Sequence, residues 1–129
     1  MARKVEIASV EKDLFWVGNA RGCLRRFPEH VQSIFGYALY VAQCGDKHPQ
    51  ATPLQGFSGA WVLEVVERHD GGTFRAVYTI KLSGRVYVLH AFQKKSKKGI
   101  KTPKPDMDLI RLRLKEAQQT HKEWLQAQR

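Results

Sequence analysis

A cluster of lysine residues follows directly after a predicted β-strand in the second half of the chain. Residues 85–93 alternate in the manner of a strand, and the cations behind them are Lys94, Lys95, Lys97, Lys98 and Lys101. A strand that ends in such a cluster holds several positive charges at one edge of a sheet, where they can contact a polyphosphate. The alternative is a solvated charge run without a ligand. The arrangement favours RNA or DNA as the partner.

Arg75 and His90, on the two strands that precede this cluster, could act on a bound phosphate. In the predicted strand 73–81, Arg75 lies on the face opposite the apolar side chains, and we expect that face to be open. There its planar guanidinium could hold a phosphate, or it could be an ordinary surface arginine paired with Glu64. If His90 shares this face, its imidazole could move a proton and Phe92 could stack on a base. The alternative for His90 is a buried, hydrogen-bonded side chain.

These residues form two predicted sets at one site. Positive charges in the first set would stabilise the charge that develops on the phosphorane during RNA cleavage. The catalytic set that follows from the strands is Arg75, His90 and Lys94. The RNA-binding set is Arg85, Phe92, Lys97, Lys98 and Lys101. A metal enzyme or a nucleotide-triphosphate enzyme is not expected, because the sequence has no phosphate-binding glycine motif and no HExxH motif, and its histidines are scattered.

The composition agrees with an anionic partner without identifying it. The 129 residues include 22 Lys and Arg against 12 Asp and Glu, a formal net charge of +10. This length suits a single domain, residues 1–129, in which we expect residues 1–13 to form a poorly ordered, flexible arm. Cys23 and Cys44 lack metal-ligand spacing and suit a reducing compartment. Because no apolar run reaches the length of a membrane span, we expect a cytoplasmic protein.

Periodicity along the chain predicts an α+β fold. A short strand at 14–17 precedes two helices, from Asn19 to Phe27 and from Pro28 to Gly45, which would pair as a helical hairpin. Residues 45–59 read as a surface loop, and three consecutive antiparallel strands follow, with a turn at 69–72. A long helix that opens at Thr102 and Pro103 ends the chain.

Four segments resemble a known family: GYALYVAQCG, WVLEVV, FRAVYTI and RVYVLHAFQKKSKKGIKTPK. They are similar to the phage-derived, HigB-type branch of the RelE/ParE toxin superfamily, from about Leu14 to the last helix. The resemblance implies a RelE-like fold, with an N-terminal helical hairpin packed on a small antiparallel sheet and a C-terminal helix. It also implies the toxin of a type II toxin–antitoxin system, a ribosome-dependent mRNA endoribonuclease that needs no cofactor and is neutralised by a HigA-like helix-turn-helix antitoxin.

The family's catalytic residues match this chain only in part. The resemblance places the family's arginine at Arg75 and its cations at Lys94 and Lys95, which adds Lys95 to the predicted catalytic set. However, residues 60–64 lack the lysines of RelE, and Lys97 to Gly99 replace its tyrosine. An alternative is therefore a non-catalytic nucleic-acid-binding, gyrase-binding or phage regulatory protein of the same fold.

The antitoxin could contact this chain in two ways. An acidic segment could cover the cations, or the partner could dock on the helical hairpin. We expect the second, because the helices around Leu24, Ile34 and Leu39 should offer more apolar area.

Overall fold

The computed structural model describes residues 11–58, 61–94 and 101–128. Its helices and strands, in chain order, are β1 (Asp13–Trp16), α1 (Ala20–Leu24), α2 (Glu29–Gln43), β2 (Ala51–Pro53), β3 (Val62–His69), β4 (Gly72–Thr79), β5 (Arg85–Lys94) and α3 (Lys104–Ala127). This confirms an α+β fold. In the described part of the chain, no helix is both long and apolar enough to cross a membrane.

The described strands form one mixed sheet in the order β1-β5-β4-β3-β2. Its centre is the predicted antiparallel meander of β3, β4 and β5. The expectation of a purely antiparallel sheet is wrong, because β1 pairs with β5 in parallel. The expectation of a loop at 45–59 is also wrong in part, because β2 lies within it and pairs with β3. Pro53 is tolerated there because β2 is an edge strand.

The predicted N-terminal arm is ordered at its end. Residues 1–10 of that arm lie outside the described residues. The Lys12 N–H donates to the Gln43 carbonyl at 2.8 Å, and the Gln43 side-chain amide donates to the Lys12 carbonyl at 2.7 Å. These bonds tie the start of β1 to the end of α2.

Both faces of the sheet are covered by helices. On one face, α1 and α2 bury Val31, Phe35 and Leu39 against Phe74 and Ala76 of β4. On the other face, α3 buries an apolar stripe against the sheet, in a cluster that includes Val77, Tyr87, Leu89, Ile110, Leu114 and Ala117. The expectation that the face of Arg75 is open is therefore wrong over most of its length. A stripe of apolar residues on a helix must be buried, and this face also carries apolar side chains.

A β-bulge in β5 changes which side chains share a face. Val77 pairs with His90 whereas Tyr78 pairs with Val88, so Leu89 is an additional residue in β5. Directly opposed residues of an antiparallel pair lie on the same face. His90 therefore shares the face of Val77, and Phe92 shares that of Arg75. This confirms the condition on which the predicted grouping of these side chains depends.

Candidate nucleic-acid interface

A cleft of about 950 Å³ opens on the α3 side of the sheet, at the end where α3 begins. Its floor consists of the ends of β3, β4 and β5, and its walls are the loop after β2 and the start of α3. Among the described residues that border it, the cations are Arg68, Arg75, Lys94, Lys101 and Arg111 and the acids are Glu64 and Asp70. We call this the cationic cleft. Its excess of positive charge suits an anionic ligand.

Three of these cations surround one patch of the sheet. Thr73 of β4 pairs with Arg68 of β3 on one side and with Lys94 of β5 on the other. Strands lie about 4.8 Å apart, so the backbones of Arg68 and Lys94 are separated by about 10 Å. Arg75 lies two residues along β4, about 7 Å from Thr73 on the same face. The three-cation patch (Arg68, Arg75 and Lys94) therefore surrounds the hydroxyl-bearing Thr73 on one face of the sheet.

Arg75 is held rigidly within this patch. It is only 3% exposed, and its Nη1 donates a hydrogen bond to Glu64 Oε2 at 3.1 Å. The predicted pairing with Glu64 is thus present, although Arg75 is buried rather than on the surface. Its Nε is buried and has no hydrogen-bond partner among the described residues. Leaving such a buried donor unsatisfied is energetically costly.

Lys94 connects the sheet to the segment before α3. Its Nζ donates to the Lys101 carbonyl at 2.6 Å. Both Lys94 and Lys101 also border the cationic cleft. Lys95, Lys97 and Lys98 lie outside the described residues. The structure therefore brings Arg75, Lys94 and Lys101 together, while the roles predicted for them remain predictions.

His90 lies beneath the start of α3 and does not border the cleft. It is 7% exposed, its Nε2 is 2.7 Å from Asp106 Oδ1, and its ring stacks on Phe92 with centroids 4.8 Å apart. Burial lowers the pKa of His90, the hydrogen bond and charge of Asp106 act in the opposite direction, and Arg113 lowers it further. This geometry matches the alternative of a buried, hydrogen-bonded histidine. Phe92 is also buried, with one side of its ring covered by His90.

Arg85 lies at the far end of β5 from the cleft. Its guanidinium is held between the rings of Phe15 and Trp124, at 3.9 and 4.0 Å, and donates to the Tyr87 hydroxyl at 3.2 Å. A strand rises about 3.3 Å per residue, so Arg85 and Lys94 are separated by about 30 Å. The structure does not bring Arg85 to the other predicted site residues.

Arg68 and Arg111 border the cleft but were not among the predicted site residues. Extending the alternation of β3 by two positions beyond Val66 would have placed Arg68 on the face of Arg75. Arg111 follows Met107 by four residues, so the two share one side of a helix. In the described residues, no group of three or more His, Cys, Asp or Glu side chains could hold a metal ion.

Residues 23–115 match the family described as phage derived protein Gp49-like. The match spans well over half of the chain, which therefore belongs to the Gp49-like family. No curated protein matches the chain. Among solved structures, it is similar to the toxin–antitoxin complex RelBE2 from Mycobacterium tuberculosis, with a TM-score of 0.44 and 16% identity, covering 67% of this chain and 95% of that chain.

Proposed function

We propose that this member of the Gp49-like family is the toxin of a type II toxin–antitoxin pair and that it cleaves mRNA on the ribosome without a metal ion. The observation that carries the proposal is the three-cation patch on the floor of the cationic cleft. The resemblance of LHAFQKKSKK and the following TPK to HigB-type toxins supports the same reaction. Ribosomes as the site of action imply that the toxin works in the cytoplasm.

In this reaction the ribose 2′-hydroxyl attacks the adjacent phosphorus in line, and the bond from phosphorus to the 5′-oxygen breaks. The products are a 2′,3′-cyclic phosphate and a 5′-hydroxyl end. The 2′-hydroxyl loses one proton as it attacks, and the leaving 5′-oxygen gains one, so the proton count is unchanged. The pentacoordinate intermediate carries additional negative charge. Arg75, fixed by Glu64, and Lys94 would stabilise this charge, and preorganised donors of this kind contribute a large part of enzymatic rate enhancement. Arg68 would hold a neighbouring phosphate.

A second candidate function is binding of nucleic acid, or of a nucleic-acid enzyme such as gyrase, without cleavage. The observation that favours it is the placement of the histidines. His90 does not border the cleft, and His69 borders it but has its ring 5.7 Å from that of His30 on α2, on the other side of the sheet. General acid–base catalysis requires a group within hydrogen-bond reach of the transferred proton. Among the described residues, no histidine ring meets that condition in this conformation.

The products of a short expression pulse distinguish the two candidates. Cleavage predicts new 5′-hydroxyl ends and cyclic phosphates in translated mRNA, which disappear when initiation of translation is blocked. A Lys115→Ala variant is a matched control, because Lys115 is exposed on α3 and does not border the cleft. Normal growth with intact mRNA would contradict the enzyme, whereas double-strand DNA breaks with an induced DNA-damage response would support gyrase as the target.

We further propose a helix-turn-helix antitoxin, of the HigA type, as the partner. Docking on the helices around Leu24, Ile34 and Leu39 stays a prediction, but Leu24 and Leu39 are buried in the core beneath α1 and α2 and do not supply its apolar area. The large apolar side chains that α2 exposes are Tyr37 at 59% and Tyr40 at 47%. These tyrosines lie three residues apart on one side of α2, across the sheet from the cationic cleft. A partner bound there would leave the cleft charge unneutralised and would block ribosome entry by its bulk.

A further inference from the structure

Two hydrogen bonds join the end of β5 to the segment that leads into α3. One links His90 Nε2 to Asp106 Oδ1 at 2.7 Å, and the other links Lys94 Nζ to the Lys101 carbonyl at 2.6 Å. Asp106 lies in the first turn of α3. The same segment supplies Lys101, Thr102 and Met107 to the wall of the cationic cleft. These two bonds therefore fix the position of that wall relative to the floor.

The surroundings of His90 suit a residue that fixes the position of Asp106 better than one that transfers a proton to or from RNA. Its ring is buried, is stacked on Phe92 with an interplanar angle of 19°, and points its Nε2 at Asp106 rather than into the cleft. Its Nδ1 is buried without a hydrogen-bond partner among the described residues. To reach a ribose hydroxyl in the cleft, the ring would have to leave both Phe92 and Asp106.

We propose that His90 is a positioning residue that acts through Asp106 to fix the first turn of α3, and with it the α3 wall of the cationic cleft. This inference rests on the proposed function, because it concerns the cleft in which we place the RNA. It replaces the proton-transfer role predicted for His90 from the sequence. Loss of the hydrogen bond lets the wall move away from the three-cation patch, so that RNA binds less tightly while the reacting groups on the floor remain in place.

Two variants of His90 separate positioning from proton transfer. His90→Gln places an amide N–H close to the position of Nε2 and keeps the bond to Asp106, but an amide cannot carry a proton at neutral pH. His90→Phe keeps a stacked ring and loses the bond. Positioning predicts that KM rises about tenfold in His90→Phe, the effect of one hydrogen bond to a charged group, with kcat within about twofold. His90→Gln should restore most of the affinity, whereas a proton-transfer role predicts a loss of about a hundredfold or more in kcat in both variants.

Asp106→Asn provides a second measurement in which simple electrostatics predicts the opposite result. Removing a carboxylate near a cationic cleft should tighten RNA binding if charge alone matters. Positioning predicts weaker binding, by about fivefold, because the bond from His90 loses its charged acceptor. The Asp106 side chain is 26% exposed, so this variant should fold even if His90→Phe does not.

The affinity is best measured with a single-stranded RNA oligonucleotide that carries 2′-deoxyribose at the cleavage position, so that binding does not depend on the reaction. If the wild-type protein binds this probe but does not cut mRNA on purified ribosomes, the proposed reaction fails, while the binding measurements still test the positioning inference. If folded Asp106→Asn and His90→Phe bind the probe as tightly as the wild-type protein, the positioning inference is wrong. Thermal unfolding of each variant establishes that it is folded.

Discussion

The pair formed by Arg75 and Glu64 allows the binding role of Arg75 to be separated from its role in stability. The two side chains are 4% and 14% exposed and are joined at 3.1 Å. Arg75→Ala leaves a largely buried carboxylate without its cation, which typically costs about 3 kcal/mol or more. For a chain of this size such a loss lowers the midpoint of thermal unfolding by about 10 °C. Loss of toxicity in Arg75→Ala alone would therefore not identify a phosphate contact.

The double variant Arg75→Met with Glu64→Gln removes both charges and preserves the side-chain volumes. Replacing a buried ion pair by uncharged residues of similar size is often neutral or stabilising. We therefore expect the free energy of unfolding of the double variant to lie within about 1 kcal/mol of the wild-type value. RNA cleavage should nevertheless fall about a hundredfold, because the preorganised guanidinium is missing from the three-cation patch. Urea denaturation measures the stability, and RNA cleavage with purified ribosomes measures the activity.

Two results would refute this reasoning. A folded double variant that cleaves RNA as fast as the wild-type protein would show that Arg75 has only a structural role. If Arg75→Ala were as stable as the wild-type protein, the pairing with Glu64 would contribute nothing. Lys115→Ala is the control for a general effect of charge, since it removes one exposed cation outside the cleft.

Three further predictions concern the cleft charge, the pH dependence and the partner. Arg68→Ala should weaken RNA binding and reduce, by about 1, the slope of the logarithm of the RNA-binding constant against the logarithm of the salt concentration. An unchanged slope would exclude a contact between Arg68 and a phosphate. His121 of α3 is buried, with its Nδ1 3.2 Å from the Tyr87 hydroxyl. Burial lowers the pKa of both His90 and His121, so the free energy of unfolding should stay level above about pH 6.5 and fall as the pH drops toward about 5. Equal urea midpoints across this range would contradict this prediction. We expect the antitoxin to bind the wild-type protein with little dependence on salt, and changing both Tyr37 and Tyr40 to Ser should abolish this binding. If the variant still binds the antitoxin and high salt then breaks the complex, the antitoxin contacts the cationic cleft instead.

Local sequence signals predicted the centre of the sheet. Alternation defines β3, β4 and β5, and the turn between the first two follows from Asp70 and Gly71, which adopt φ values of 48° and 79°. An Asp-Gly pair favours such a turn because both positions require positive φ. The parallel pairing of β1 with β5 was not predictable in the same way, because it joins segments about 70 residues apart in sequence without a local signal.

The candidate site was predictable where it depended on position along neighbouring strands. Arg75 and Lys94 come together because β4 and β5 are consecutive and antiparallel. The face of Leu89 was not predictable, because strict alternation puts it on the opposite face from His90, whereas the bulge puts both residues on the α3 side. Periodicity also does not reveal that the first turn of α3 covers His90 with Asp106.

The course of α3 determines which part of the sheet it covers. Asp106, in its first turn, contacts His90 near the end of β5, while Trp124, near its last turn, lies against Arg85 at the start of that strand. The helix therefore runs antiparallel to β5 and covers the sheet from the cleft to the opposite end. Among the described residues, the cationic cleft opens in front of the first turn of α3, and the three-cation patch lies on its floor. Arg85 is on the same strand but beneath the other end of the helix, held between two aromatic rings, so its charge stabilises the docking of α3 instead of meeting a phosphate.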